Sequence, residues 1–218
     1  MRGKKSVVTG GAGFIGSNLI DHLIKAGHKV IVLDNFVSGK RSNISHHKKK
    51  HVQIVKIDIS KNTSLDKYFS GADYVFHLAG LAEIIPSIKN PKKYFFNNVL
   101  GTLNVVEAAK KAKVKKLIYA ASSSCYGKPK IFPTSEKSKI DLKHPYALTK
   151  YMGEELIMKY ASLFSMPNIS FRFFNVYGPR LNTSSQYSAV MGTFLLQKRN
   201  NKPLTIVGDG KQTRDFIH

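Results

Sequence analysis

Tyr126 and Lys130 stand four residues apart, as do Tyr146 and Lys150, and three serines, Ser122, Ser123 and Ser124, precede the first pair. A tyrosine held beside a lysine can act as a base. A free phenol has a pKa of about 10, and bringing it near 7 takes roughly 4 kcal/mol of preferential stabilisation of its anion. An ammonium and a positively charged nicotinamide ring can supply that stabilisation. A neighbouring serine hydroxyl can hold a substrate oxygen while the proton moves. This is the chemistry of proton transfer at a substrate oxygen.

With 10 tyrosines and 29 lysines in 218 residues, about one such pair arises by chance, so spacing alone does not choose between them. Helicity does, because residues four apart share a face only on a helix. The stretch YGKPK carries Gly127 and Pro129, which disfavour a helix. In PYALTKYMGEEL, Pro145 stands at the start of a good helical run, where proline is tolerated. Tyr146 and Lys150 are therefore expected to point together into a cleft.

The redox partner is expected near the N-terminus. TGGAGFIGS fits Gly11-x-Gly13-x-x-Gly16 and the offset Gly10-x-x-Gly13-x-x-Gly16, between a strand-like and a helix-like segment. Glycines there permit the tight turn and bring backbone amides and the positive helix end to a pyrophosphate. Asp34 ends the next strand, 18 residues beyond Gly16. A carboxylate at that point accepts from ribose hydroxyls and repels a 2′-phosphate, so the cofactor expected is NAD and not NADP.

The elements that must position these groups alternate regularly. Strands are expected at 4–9, 28–33, 52–57, 73–78, 115–121 and 169–174, with helices at 13–25, 91–112 and 146–164. Continuous apolar strands separated by helices imply an α/β chain, a Rossmann-like doubly wound parallel sheet with helices on both faces. No internal repeat or linker divides it.

Composition narrows the partners. The sequence is 42% apolar, with no run long enough to cross a membrane and no signal-peptide pattern, so a soluble cytoplasmic protein is expected. Cys125 is the only cysteine, which excludes an intrachain disulfide and a cysteine-based zinc site. His46, His47 and His51 surround Lys48–Lys50 in a polar loop lacking an acidic or cysteine partner, which reads as solvated surface with no metal. The net charge of +22 attracts anionic substrates. It comes mostly from dispersed lysines, whereas nucleic-acid recognition favours arginine, so no specific nucleic-acid partner is expected.

The ordered segments GGAGFIG, DNFVSGKRSN, KIDI, HLAGL, NNVLGTLNVVEAA, SSSCYG, YALTK, RFFNVYGPR and GDGKQTRDFIH resemble the NAD-dependent sugar epimerase/dehydratase family, the extended short-chain dehydrogenases. The resemblance spans nearly the whole chain and is nearest to UDP-glucose and UDP-N-acetylglucosamine 4-epimerases. It implies catalysis by Ser122, Tyr146 and Lys150, with transient oxidation at C4 of a nucleotide sugar and hydride return to the opposite face. It assigns Gly10, Gly13, Phe14, Ile15, Gly16, Asp34, Asn35, Asp58, Ile59, Leu78, Ala79, Gly80 and Asn98, with Tyr146 and Lys150, to NAD. Ser87, Ser123, Ser124, Asn175 and Arg214 are assigned to the nucleotide sugar.

Dehydratases of this family follow the catalytic threonine with an Asp-Glu pair, and here Ser123 and Ser124 follow Ser122, so dehydration is disfavoured. Cys125 falls out of register with the functional cysteine of GDP-fucose synthases and is expected to pack behind the strand. Ala82 stands where some glucose epimerases carry lysine, which leaves the sugar open. The resemblance also implies a homodimer through helices 91–112 and 146–164. It divides the chain into a cofactor domain over 1–180 and the start of a nucleotide-sugar region over 181–218, most of which would lie beyond His218, so low activity is expected of the 218 residues alone. The alternatives are a dehydratase or reductase of the same family, and a non-catalytic NAD-sensing or RNA-binding relative.

Overall fold

The structure is a computed structural model and describes residues 3–61, 64–129, 131–181 and 190–218. Six strands form one parallel sheet: β1 (Lys5–Thr9), β2 (Lys29–Asp34), β3 (Val52–Lys56), β4 (Tyr74–His77), β5 (Lys116–Ser122) and β6 (Asn168–Phe173). Their order is β3-β2-β1-β4-β5-β6, the doubly wound arrangement the sequence pattern implies. The order reverses between β1 and β4, and Thr9, Asp34, His77, Ser122 and Phe173 all end their strands at the same carboxyl edge. In open α/β sheets that edge receives ligands.

The inner strands are covered on both faces, so their side chains alternate between two apolar clusters, whereas the edge strand β6 leaves Ile169 and Phe171 exposed. Val7, Leu33, Val75, Leu117 and Tyr119 pack with Val105, Val106 and Ala109 of α5 (Gly101–Lys111) and Ile157 of α6 (Pro145–Phe164). Val8, Val30 and Val32 pack on the other side with Ile20 and Leu23 of α1 (Phe14–Lys25) and with Ile44. Ile44 sits in the loop after β2 and is fully buried, so it anchors that loop against α1.

The helix expected over 91–112 has three parts. Pro91–Phe95 is α-helical, Phe96–Leu100 is wound as a π-turn, and α5 follows. The extra residue lets Asn98 turn inward while Asn97 borders the cofactor cavity. The sequence pattern singled out no helix at Asp66–Phe69, Ile84–Lys89 or Val190–Arg199, which are short or weakly amphipathic. A two-residue pairing of Asn175–Val176 with Phe216–Ile217 returns the chain's last residues to the carboxyl edge.

Candidate active site

Two adjoining cavities open at that edge. The first, of about 270 Å³, begins at the β1–α1 turn. Gly10 has φ +69° there, and a Cβ would stand 2.7 Å from the Ala79 nitrogen. A Cβ on Gly16 would meet the Gly10 carbonyl at 2.4 Å, so this close turn needs glycine at both places. The N-terminus of α1 has no side-chain cap and no acidic residue in its first turn, which leaves its amides and positive end toward the cavity for an anion. All the residues assigned to NAD from Gly10 to Gly80 border this cavity.

Asp34 is buried, and its Oδ2 accepts from the Ala12 amide at 2.9 Å while Oδ1 accepts from Phe36 at 2.8 Å. Each oxygen keeps a lone pair for a further donor. Across the cavity, Asp58 accepts from the amide and hydroxyl of Ser60 at 3.0 and 2.7 Å. Burial pushes its carboxyl up, and the bonds from Ser60 and Asn35 outweigh that and hold it below the usual value.

The second cavity, about 360 Å³, shares the Gly80–Ala82 wall with the first and is closed by Ser122, Ser123, Ser124, Tyr146, Lys150 and Phe173–Val176. Its serines lie on a short turn, Ser123–Tyr126, capped by Ser122, whose Oγ accepts from the Ser124 amide at 3.2 Å. Burial raises the pKa of the Tyr146 phenol, and the nearby Ser122 hydroxyl lowers it by less, so the protein alone does not bring the phenol toward neutrality. Lys150, one turn along α6, is buried, 4.2 Å from the centroid of the Tyr119 ring. Burial pulls its ammonium down to about 7, opposed by the charge of Glu154.

The start of α6 has no unfilled donor. Pro145 has no N–H, Tyr146 N donates to Ser87 Oγ at 3.1 Å, Ala147 N to His144 Nδ1 at 3.1 Å, and Leu148 N to the His144 carbonyl at 3.1 Å. His144 also stacks on Tyr146, with ring centroids 5.9 Å apart and planes within 2°. The sequence did not flag His144, because histidine is not among the usual helix caps.

A fixed proton chain lies beneath the cavities. Thr102 Oγ1 donates to the Asn98 carbonyl at 2.6 Å, so it accepts from His77 Nε2 at 2.9 Å. His77 Nδ1 is then the acceptor for Thr9 Oγ1 at 2.7 Å, and Thr9 accepts from the Ala79 amide at 3.3 Å. His77 is thus one neutral tautomer, and complete burial, aided by the Lys150 charge, pulls its pKa down to about 3.

Three of the residues expected at the ligands, Ser87, Asn98 and Arg214, lie off both cavities. Ser87, expected at the sugar, is fully buried and has its hydroxyl committed to Tyr146 N and, at 2.6 Å, to the Ile84 carbonyl. Asn98 borders neither cavity, because its side chain is used by Leu81 N, the Leu81 carbonyl and Thr149 at 2.8, 3.0 and 3.1 Å. It positions the cavity wall. Arg214 is exposed, bonds to the Thr213 carbonyl at 2.7 Å and borders neither cavity. Asn175 does border the second cavity while its Nδ2 donates to the Asp215 carbonyl at 2.9 Å.

Tyr126 sits on the serine turn, off any α-helix, and accepts from Arg172 Nη1 at 2.8 Å; Lys130 lies outside the described residues. Arg172 also holds buried Glu154 through its Nε at 3.0 and 3.1 Å, bracing the turn against α6. Cys125 is buried, and burial pushes its thiol up to about 11. The loop histidines do have an acidic partner: Nε2 of His46 and of His47 reach Asp21 Oδ1 at 3.1 and 2.8 Å.

The profile of the NAD dependent epimerase/dehydratase family matches residues 6–218. The chain belongs to that family. A relative described as a putative UDP-glucose 4-epimerase from Methanocaldococcus jannaschii is 37% identical over 215 residues, covering 97% of this chain and 68% of the relative. A UDP-N-acetyl-alpha-D-glucosaminuronate decarboxylase from Bacillus cytotoxicus is 35% identical over 224 residues, covering 99% and 67%. The solved UDP-N-acetylglucosamine 4-epimerase from Methanobrevibacter ruminantium M1, in complex with UDP-N-acetylmuramic acid, superposes with a TM-score of 0.95 at 37% identity, covering 100% of this chain and 69% of that one. Family members of both epimerising and decarboxylating description thus share this fold. Among the described residues no helix is long and apolar enough to cross a membrane.

Proposed function

We propose that the protein is an NAD-dependent UDP-hexose 4-epimerase, with Ser122, Tyr146 and Lys150 as its catalytic residues. The observation that carries this reading is the second cavity. It brings Ser122, Tyr146 and the buried Lys150 together and adjoins the cofactor cavity, and none of its described bordering residues is a carboxylate or an arginine. A carboxylate would serve elimination of water, and an arginine would serve a sugar acid. The serines, tyrosine and lysine that border the cavity serve oxidation and reduction at a sugar hydroxyl.

The lining of the first cavity suits NAD: the uncapped end of α1 would hold the pyrophosphate, Asp34 the adenosine ribose, and Asp58 and Ile59 the adenine. Bound there, it supplies a hydride acceptor and a positive charge near the phenol. Tyr146 Oη takes the proton of the sugar 4-hydroxyl and later returns it. Ser122 holds the same sugar oxygen, so its hydrogen bond serves the phenol and the substrate in turn. Lys150, below both, favours the phenolate. The small side chains Gly80, Ala82, Ser123 and Ser124 leave space for a keto sugar to present its other face, and Asn175 offers a polar contact to the nucleotide sugar.

A homodimer through α6 and the 91–111 helical run fits their exposed apolar residues, Phe95, Phe96, Leu148, Met158 and Leu163. The test is incubation of the protein with NAD and a panel of UDP, dTDP and GDP sugars. C4 epimers of a UDP-hexose with no net NADH are expected. Carbon dioxide from UDP-glucuronate, or a dehydrated sugar, would overturn the reading.

A further inference from the structure

Outside the lining of both cavities, three side chains converge on one point of the surface. Asp21 lies midway along α1, and His46 and His47 lie in the loop after β2. Oδ1 of Asp21 and Nε2 of both histidines all lie within 4.8 Å of one another. The two imidazole rings are 4.0 Å apart by centroid, tilted by 42°. We propose that Asp21, His46 and His47 form a binding site for a nitrogen-preferring divalent transition-metal ion, of the zinc, cobalt or nickel class, that ties this loop to α1.

The geometry requires little change. Ligand atoms about 2.0–2.1 Å from a tetrahedral ion stand about 3.3 Å from one another. Here Oδ1 is 3.1 Å from one Nε2 and 2.8 Å from the other, so modest spreading of the three groups admits an ion. Each imidazole would move its ring proton to Nδ1 and offer the Nε2 lone pair.

The backbone is already set. Ile44, two residues before His46, is buried against Ile20 of the same helix. Asn43 Nδ2 and Lys40 N both donate to the Ala12 carbonyl, at 2.9 and 3.0 Å. Asp21 is oriented by Arg180, whose Nη2 holds Oδ2 and whose Nη1 bonds to the Asn43 carbonyl at 3.0 Å. That contact leaves Oδ1 for a metal and supports the carboxylate from behind, as outer partners do in metal sites. The His46 side chain is 55% exposed, so water can fill the fourth position.

Charge and donor type decide the ion. Arg180 already balances the carboxylate, so the site has no negative surplus to attract a hard cation such as Mg²⁺ or Ca²⁺. Affinity must come from the two nitrogens, which suit zinc, cobalt and nickel. Because the loop continues from Val37 and Ser38, which border the cofactor cavity, a bound ion would stiffen one wall of that cavity.

The test uses untagged, chelator-stripped protein titrated with Co²⁺ and Zn²⁺, followed by visible absorption, calorimetry and melting temperature. One ion per chain and a raised melting temperature are expected, with no rise from Mg²⁺. His46→Ala and His47→Ala should each weaken binding at least about tenfold, the lower end of what losing even an outer partner costs. His51→Ala should leave it unchanged, and His46→Ala, at an exposed position, should melt like the parent in chelator. Absence of stoichiometric binding, an equal loss in His51→Ala, or an equal rise with Mg²⁺ would overturn the proposal.

Discussion

The hydroxyl of Ser87 accepts the amide hydrogen of Tyr146 at 3.1 Å across 59 residues of chain and passes its own hydrogen to the Ile84 carbonyl at 2.6 Å. Ser87 therefore sets the start of the helix that carries the tyrosine. Ser87→Ala leaves that part-buried amide without its partner, at a cost of about 1 kcal/mol. The expected outcome is a lowered melting temperature and turnover reduced at least severalfold, with NAD affinity nearly unchanged. Calorimetry and steady-state kinetics on the same preparation check it.

Tyr146→Phe should lower turnover by about 10²–10⁴, the usual contribution of a positioned acid or base, and leave NAD binding intact. Tyr126→Phe removes one of the two acceptors of Arg172 Nη1, the Glu136 carbonyl being the other, and should cost about 1 kcal/mol of stability with turnover changed only a few fold. Exchange of the two phenotypes would place the base on the other tyrosine.

Asp34→Asn keeps the side chain's shape and removes its charge. NAD affinity should fall and NADP affinity should rise, because a 2′-phosphate is no longer repelled. Equal affinity of the unmodified protein for both cofactors, read by fluorescence titration, would contradict the role of Asp34.

His77 makes stability depend on pH in a defined direction. Its pKa is about 3 in the folded protein against 6.5 when unfolded, so between those values the unfolded chain binds more protons. The contribution of His77 is full above about 6.5 and falls as the pH drops toward 3, with a limiting slope of about 1.4 kcal/mol per pH unit. Lys150, pulled down to about 7 from 10.5, has the same sign, and folding should strengthen from neutral pH upward. Urea midpoints from pH 4 to 9 check both, and His77→Gln should flatten the acid limb even where it lowers the whole curve.

These residues divide by how local their causes are. The glycines, Asp34, Tyr146 and Lys150 are legible in sequence because a strand end, a helix start or a one-turn spacing determines where each goes. Ser87 and Asn98 are not, since what they bond, Tyr146 N and Leu81, is decided by how α3 (Ile84–Lys89) and the π-turn pack on α6. The π-turn leaves no period in the sequence because it inserts only one residue into a helix. Asp21 escaped for a similar reason: it is 25 and 26 residues from the histidines it meets, and no pattern links a helix surface to a loop that far away.

The most direct test of the central claim is proton NMR of UDP-glucose incubated with the protein and NAD, in parallel with Tyr146→Phe. Growth of the UDP-galactose anomeric signal, without accumulation of NADH and absent in Tyr146→Phe, is the predicted result. Retention of the C4 configuration across the sugar panel while UDP-glucuronate loses carbon dioxide, or epimerisation that persists in Tyr146→Phe, would contradict it.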